Sequence, residues 1–290
     1  MVRLRSDMEE LQRCALDLSV APPAWQTSEA MRETLDGALR DRLLAWGGGA
    51  GRKALLIGAG WTRLAVELVS RDMFVTVVDD SAERLSEVHR KVMAAGGANR
   101  LTITVGDYKD RSFESSAFNL TVAWDSLNRY TEHGPLLKKL TRELKTGGQL
   151  FLRAWTRPEA GEAPLERRLA TAEETLRGAV RRALGVLPAG RRAFERQPTL
   201  LGGLARPFDR AALRASLEAL LVVEDVTPHH VLAPDVADLA VHMAPALGRL
   251  VPGAVALDRR IVAARPGQAR FLAVFAAKEK NLGKTRPDLI

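Results

Sequence analysis

The sequence predicts a doubly wound α/β fold on a mostly parallel sheet, on three observations. Short, continuously apolar segments recur from residue 53 onward, segments of helical length separate them, and the first apolar segment ends in a glycine turn that opens a helix. Strands buried on both faces read as unbroken apolar runs, and strands alternating with helices of this length require right-handed crossovers and a sheet covered on both sides.

The first fifty residues read as helices. Met8 to Leu18 is one, broken by Ala21-Pro22-Pro23, and Ser28 to Trp46 is the next, with Met31, Leu35, Leu39, Leu43 and Leu44 at helical spacing. Gly47 to Gly51 is a flexible joint. The alternation then runs strand 54–57, helix 61–70, strand 74–78, helix 82–95, strand 101–105, strand 120–124, helix 136–144 and strand 149–155. Beyond Trp155 the chain turns arginine-rich and largely helical, with Pro158, Pro164, Pro188 and Pro198, and reads as an insertion or lid reaching about Pro207. The sheet resumes with helix 209–220, strand 221–226, helix 236–250 and strand 271–276, and a polar tail follows from Lys278. One domain is expected: amino-terminal helices 1–50, an α/β core 51–155, an insertion 156–207, completion of the sheet 208–278 and a tail 279–290.

Composition narrows the function classes. Apolar residues are 46% and charged residues 27% of the chain, and no run approaches the roughly 20 apolar residues of a membrane span, so a cytoplasmic protein with no membrane association is expected. Met1 to Leu11 lacks the apolar centre of a signal peptide. Cys14 is the only cysteine, which removes internal disulfides and cysteine metal clusters, and no metal site is expected. The net charge of +8 gathers between Phe151 and Arg214, where 13 arginines face 7 acids. No lysine block, aromatic interleaving or nucleic-acid motif accompanies them, so solvated helix faces are the preferred reading over a polyanion footprint.

The chemistry-bearing motif is Leu55-Leu56-Ile57-Gly58-Ala59-Gly60-Trp61-Thr62. Gly58 and Gly60 allow a sharp turn and close approach of backbone to a ligand. Arg63 stands where a dinucleotide fingerprint needs its third glycine, and no Gly-Lys-Ser/Thr follows for a P-loop. Asp79 ends the second strand 19 residues after Gly60, where a carboxylate suits the paired hydroxyls of a ribose. Asp80-Ser81-Ala82-Glu83 fits a capping box with Asp80 as the cap. The third strand ends in Gly106-Asp107-Tyr108, an acid able to accept from an exocyclic amine beside an aromatic ring able to cover a base. Trp61 is expected to pack on the helix start.

Glycines at the first strand tip, acid at the second and acid at the third resemble the class I S-adenosylmethionine-dependent methyltransferase family, from about Lys53 to Trp155 with a continuation to Lys278. The resemblance implies a Rossmann-like, seven-stranded, mostly parallel sheet and S-adenosylmethionine as cofactor. It implies that Gly58, Ala59 and Gly60 lie by the methionine part, that Asp79 holds ribose, and that Asp107 and Tyr108 serve adenine. Phe118 to Asn128 resembles the family's fourth-strand segment and Leu144 to Phe151 its fifth. Leu56, Thr62 and Asn119 depart from the family pattern, which otherwise carries an acid, a glycine and an acid there.

Methyl transfer requires alignment of donor and acceptor and exclusion of water, with a base where the acceptor loses a proton. Asp125 is the first candidate, with Tyr130 and His133 near it, and His229 and His230 follow the sixth strand. Asp125-Ser126-Leu127-Asn128 is not the Asn/Asp-Pro-Pro-Tyr signature of adenine-amine methylation, which counts against nucleic acid as acceptor. The expectation is a small-molecule methyltransferase whose insertion arginines favour an anionic acceptor, with a homo-oligomer or protein partner left open. The alternative, motivated by Leu56, Thr62 and Asn119, is a catalytically silent methyltransferase-like binding or scaffold subunit.

Overall fold

The computed structural model describes residues 10–16, 24–58, 61–157, 207–242 and 245–279. The expected insertion lies outside them except for its ends at Thr156, Arg157 and Pro207, as do Ala59, Gly60 and the tail from 280.

Seven strands form one sheet: β1 (Lys53–Ile57), β2 (Phe74–Asp79), β3 (Leu101–Val105), β4 (Phe118–Trp124), β5 (Leu144–Trp155), β6 (Val222–His229) and β7 (Phe271–Ala277). Their order is β3-β2-β1-β4-β5-β7-β6. The first five are mutually parallel, and β7 runs antiparallel to both β5 and β6. Residues on either side of the insertion therefore share one sheet.

Side-chain alternation divides the sheet into two buried faces. On one face, Ala54 and Leu56 of β1, Val122 of β4 and Phe275 of β7 pack under three helices. These are α1 (Glu29–Gly47), α2 (Thr62–Ser70) and α3 (Ala82–Ala94). On the other, Leu55, Ile57, Leu152 and Val274 pack against α4 (Gly134–Glu143) and α5 (Arg210–Glu218). A third cluster covers the edge of the sheet where β5 ends and β7 begins. There Trp25 and Leu35 meet Phe271 and two further helices, α6 (Ala233–His242) and α7 (Val251–Ala264). Among the described residues no helix is long and apolar enough to cross a membrane.

Four expectations need correction. The first helix does not run to Leu18: residues 10–13 are helical, and Leu16 then bridges to Tyr130. Ala15 gives its N–H to Thr131 Oγ1 at 2.9 Å and its carbonyl accepts from Thr131 N at 3.0 Å, so the loop after β4 takes the groups that a helix would use. The helix expected at 236–250 instead starts at Ala233 and ends at His242, and α7 was not foreseen. Pro252 lies in its first turn, where proline starts a helix because the N–H it lacks has no partner there. The cap of α3 is Ser81, whose Oγ accepts from Arg84 N at 3.2 Å, and not Asp80. Finally, β4 and β5 begin earlier than read, at Phe118 and Leu144.

Candidate cofactor and acceptor site

β1 lies between β2 and β4, and the chain winds outward from it in opposite directions. Open α/β sheets hold ligands at the carboxyl ends of their strands around such a switch point. A cavity of about 370 Å³ opens there, between the tips of β1, β2 and β4 and the start of α1, within the roughly 300–1,000 Å³ usual for ligand sites.

Gly58 forms the tip of β1 with φ +89°, its N–H donating to Val78 O at 2.8 Å. A Cβ here would lie 3.3 Å from Ser126 Cβ. Gly58→Ala is therefore expected to lower stability by about 1–2 kcal/mol through the left-handed backbone alone and to press on Ser126. Thermal unfolding checks the first effect and ligand titration the second.

Asp79 reaches the cavity wall from β2 but is engaged within the protein. Its Oδ1 accepts from Ser81 N at 2.7 Å and from Arg84 Nη2 at 2.6 Å. Neighbouring Asp80 accepts from Arg84 and, through both oxygens, from Arg129 at 3.0 and 2.8 Å. The Arg129 hydrogen bonds hold the Asp80 carboxyl down at about 2. Two arginines thus balance the two acids that the second strand presents.

The third-strand residues are placed differently from expectation. Tyr108 is buried, its hydroxyl donating to Glu143 Oε2 at 2.7 Å, with Lys139 Nζ 3.7 Å from its ring centre. It packs between β3 and α4 and does not line the cavity. Asp107 also lies off the wall, accepting from Lys109 N at 3.0 Å and from the Tyr130 hydroxyl at 2.6 Å. Burial and that bond to Asp107 push the Tyr130 phenol well above its ordinary value, so Tyr130 keeps its proton. His133 precedes α4 with its ring stacked near Phe208, centroids 3.8 Å apart. Of the named residues, the fold brings Gly58, Asp79 and Asp125 together in one cavity and sets Asp107, Tyr108, Tyr130 and His133 apart from it.

Asp125 occupies the turn after β4 in a left-handed conformation, φ +57°. Non-glycine residues held there mark places where the surroundings override a backbone cost. Its Oδ2 accepts from Arg153 Nη1 at 2.5 Å and Gln26 Nε2 at 2.9 Å, while Oδ1 has no hydrogen-bond partner among the described residues. Burial raises its carboxyl to about 6 despite the Arg153 charge, and Asp36 adds to the rise.

Behind it runs a buried charged network that the sequence reading missed, apart from its histidines. Arg153 of β5 bridges Asp125 to Asp36 of α1, whose Oδ2 is 3.1 Å from Arg153 Nη1. Trp25, Trp124 and Phe271 surround the guanidinium. His230 follows β6 at φ +48° with Nε2 3.1 Å from Asp36 Oδ1 and Nδ1 3.6 Å from Asp258 Oδ2. Burial disfavours a charged ring at His230, but the bonds to Asp258 and Asp36 outweigh it and raise its pKa. His229 is driven down to about 3 by burial, with the neighbouring His230 adding to the fall and Asp36 only partly opposing it. Two signals pointed to this network: Arg32, Asp36 and Arg40 recur every fourth residue beside Leu35, Leu39 and Leu43, and Arg153 interrupts an apolar strand.

Trp61 caps the cavity at the start of α2, its ring edge-on to Trp124 at 4.8 Å. Among the described residues no group of three or more His, Cys, Asp or Glu side chains is placed to hold a metal ion.

A family model described as a methyltransferase domain matches residues 54–148. Among solved structures the chain is similar to the (4+2)-cyclase SpnF, at 18% identity over 83% of this chain and 80% of that one, with a TM-score of 0.55. It is similar to geranyl diphosphate C-methyltransferase from Streptomyces coelicolor A3(2), solved with Mg2+, geranyl diphosphate and S-adenosyl-L-homocysteine, at 16% identity over 89% and 88% of the chains and a TM-score of 0.55. A geranyl diphosphate methyltransferase solved with S-adenosylmethionine gives 16% identity over 91% and 96%, with a TM-score of 0.54. At these identities the structural likeness is one of fold. Residues 54–148 thus match a methyltransferase-domain model, and the seven-stranded sheet has the Rossmann-like fold of the methyltransferase structures that the chain resembles.

Proposed function

We propose that the cavity binds S-adenosylmethionine and that the protein methylates a small-molecule acceptor, with Asp125 taking the acceptor's proton. The observation that carries this reading is the convergence of Gly58, Asp79 and Asp125 on one cavity at the switch point of the sheet. The lining suits a sulfonium cofactor: Asp79 offers acceptors to hydroxyls, and the Trp61 and Trp124 rings with the Asp125 carboxylate favour a cation. The adenine end is expected near the tip of β3, where Asp107 is shared with Tyr130.

S-Adenosylmethionine, when bound, supplies an electrophilic methyl group. The protein's own part is alignment, water exclusion and proton removal. Arg153 and Gln26 fix Asp125 Oδ2, leaving Oδ1 as the oxygen that accepts a proton. The raised carboxyl keeps it a stronger base than a solvated aspartate while still ionised at neutral pH. A hydroxyl, amine or activated carbon acceptor would lose its proton to that oxygen.

Calorimetric titration with S-adenosylmethionine and S-adenosylhomocysteine tests the reading. Micromolar binding is expected in the wild type, weakened about tenfold or more in Asp79→Asn by loss of a charged acceptor. The second reading, a methyltransferase-like subunit that binds partners without turnover, draws on the arginines that already engage Asp79 and Asp80. No binding of either compound by the folded wild type selects it.

A further inference from the structure

We propose that Arg32 forms a carboxylate-binding subsite in the wall of this cavity, with the Ser126 hydroxyl as a second donor. The proposal deepens the methyl-transfer reading, since it uses the same cavity and names a ligand group that the cavity takes.

Among the described residues three arginines are buried: Arg32, Arg40 and Arg153. Arg40 has Glu33, Asp41 and Glu67 as ion partners, and Arg153 has Asp36 and Asp125. Among the described residues Arg32 has no carboxylate within the 4.0 Å of an ion pair, and its one side-chain hydrogen bond runs from Nε to the Gln26 carbonyl. The nearby acids, Asp125 and Asp36, act on it through space, while Asp125 Oδ2 is held by Arg153 and Gln26 and Asp36 Oδ1 by His230. Burial lowers its pKa only to about 10, so it stays charged at neutral pH.

A buried guanidinium without a direct anion is costly, and an anionic ligand beside it would offset that cost. Arg32 is placed to meet one: it is 6% exposed yet lines the cavity together with Gly58 and Ser126. The Nε bond to Gln26 fixes the plane of the fork, and the Trp61 ring 6.0 Å away walls it from solvent. Ser126 lines the same cavity, and its buried hydroxyl has no hydrogen-bond partner among the described residues. A planar fork and a hydroxyl match the two oxygens of a carboxylate. That carboxylate belongs either to the aminoacyl end of the cofactor or to the acceptor.

Binding measurements on the full chain separate these sources. S-Adenosylhomocysteine is compared with 5′-deoxy-5′-methylthioadenosine, which lacks the carboxylate, and acetate serves as a bare carboxylate read through the fluorescence of Trp61 and Trp124. If the cofactor supplies the group, Arg32→Gln weakens S-adenosylhomocysteine about tenfold or more and leaves methylthioadenosine within about twofold, and Arg32→Lys recovers part of the loss. If the acceptor supplies it, Arg32→Gln leaves S-adenosylhomocysteine unchanged but removes a saturable acetate response. Equal weakening of S-adenosylhomocysteine and methylthioadenosine, or no effect of Arg32→Gln on either S-adenosylhomocysteine or acetate, overturns the proposal. An acetate response that depends on Arg32 in a protein that binds no S-adenosylhomocysteine leaves the subsite standing and sinks the methyl-transfer reading.

Discussion

Asp125→Asn is expected to lower methyl transfer by about 10²–10⁴-fold, the range for loss of a positioned base, while the protein at pH 8 becomes no less stable. Burial places the Asp125 carboxyl at about 6 in the folded protein against 3.8 for an unperturbed one. Between those values the folded state holds a proton that the unfolded chain has released. Stability from this group is therefore greatest at low pH and declines as pH rises through the window from about 4 to about 6. At pH 8 the ionised side chain opposes folding by up to about 3 kcal/mol relative to a neutral one, which asparagine removes while keeping an oxygen for Arg153. The same carboxylate that burdens the fold is the one proposed as the base. The activity of the wild type is accordingly expected to rise with pH and level off above about 6, as Oδ1 becomes free of its proton. Retained activity in Asp125→Asn would make the residue structural, and a large fall in its stability would show that Arg153 depends on the charge.

The strands were legible because both of their faces are buried. Lys53–Ile57 and Phe74–Asp79 are apolar runs whose bounds fall within a residue or so of expectation. The parallel β1, β2 and β4 all end at one edge, so placing Gly58, Asp79 and Asp125 on strand tips was enough to bring them near one another. What the acids bind was not legible, because Arg84 and Arg129 reach Asp79 and Asp80 from a helix and a loop whose side-chain directions only the folded chain sets. Tyr108 shows the same limit. A tyrosine after a strand reads as a cover for a ring, yet its hydroxyl finds Glu143, 35 residues away in sequence. The contribution of α1 was hidden for another reason: Arg32 and Asp36 look like a solvated charge pattern until the amino-terminal turns of that helix are seen to close the carboxyl edge of the sheet.

Arg153→Met carries the largest expected loss of stability, about 3–5 kcal/mol, the usual consequence of removing one partner from a buried ion cluster. Arg153 is fully buried and is the cation set directly between Asp36 and Asp125. Methionine fills part of the volume among Trp25, Trp124 and Phe271 but leaves the two carboxylates to repel each other in a medium of low polarity. Asp36, held below the usual carboxylate range by Arg153 and His230 in spite of its burial, would lose one of those two supports. Adding Asp125→Asn to Arg153→Met removes one of the stranded charges, so the double variant is expected to be more stable than the single. Urea unfolding of the four proteins in that cycle measures the coupling, and simple additivity would show that Asp125 and Arg153 do not act as a unit. The coupling also reaches the cavity. Asp36 lies on α1 one helical turn after Arg32, and Asp125 holds Gln26 just ahead of that helix. Losing Arg153 therefore loosens the amino-terminal turns that form one wall, and the Arg153→Met variant, where it folds, is expected to bind S-adenosylhomocysteine more weakly than the wild type.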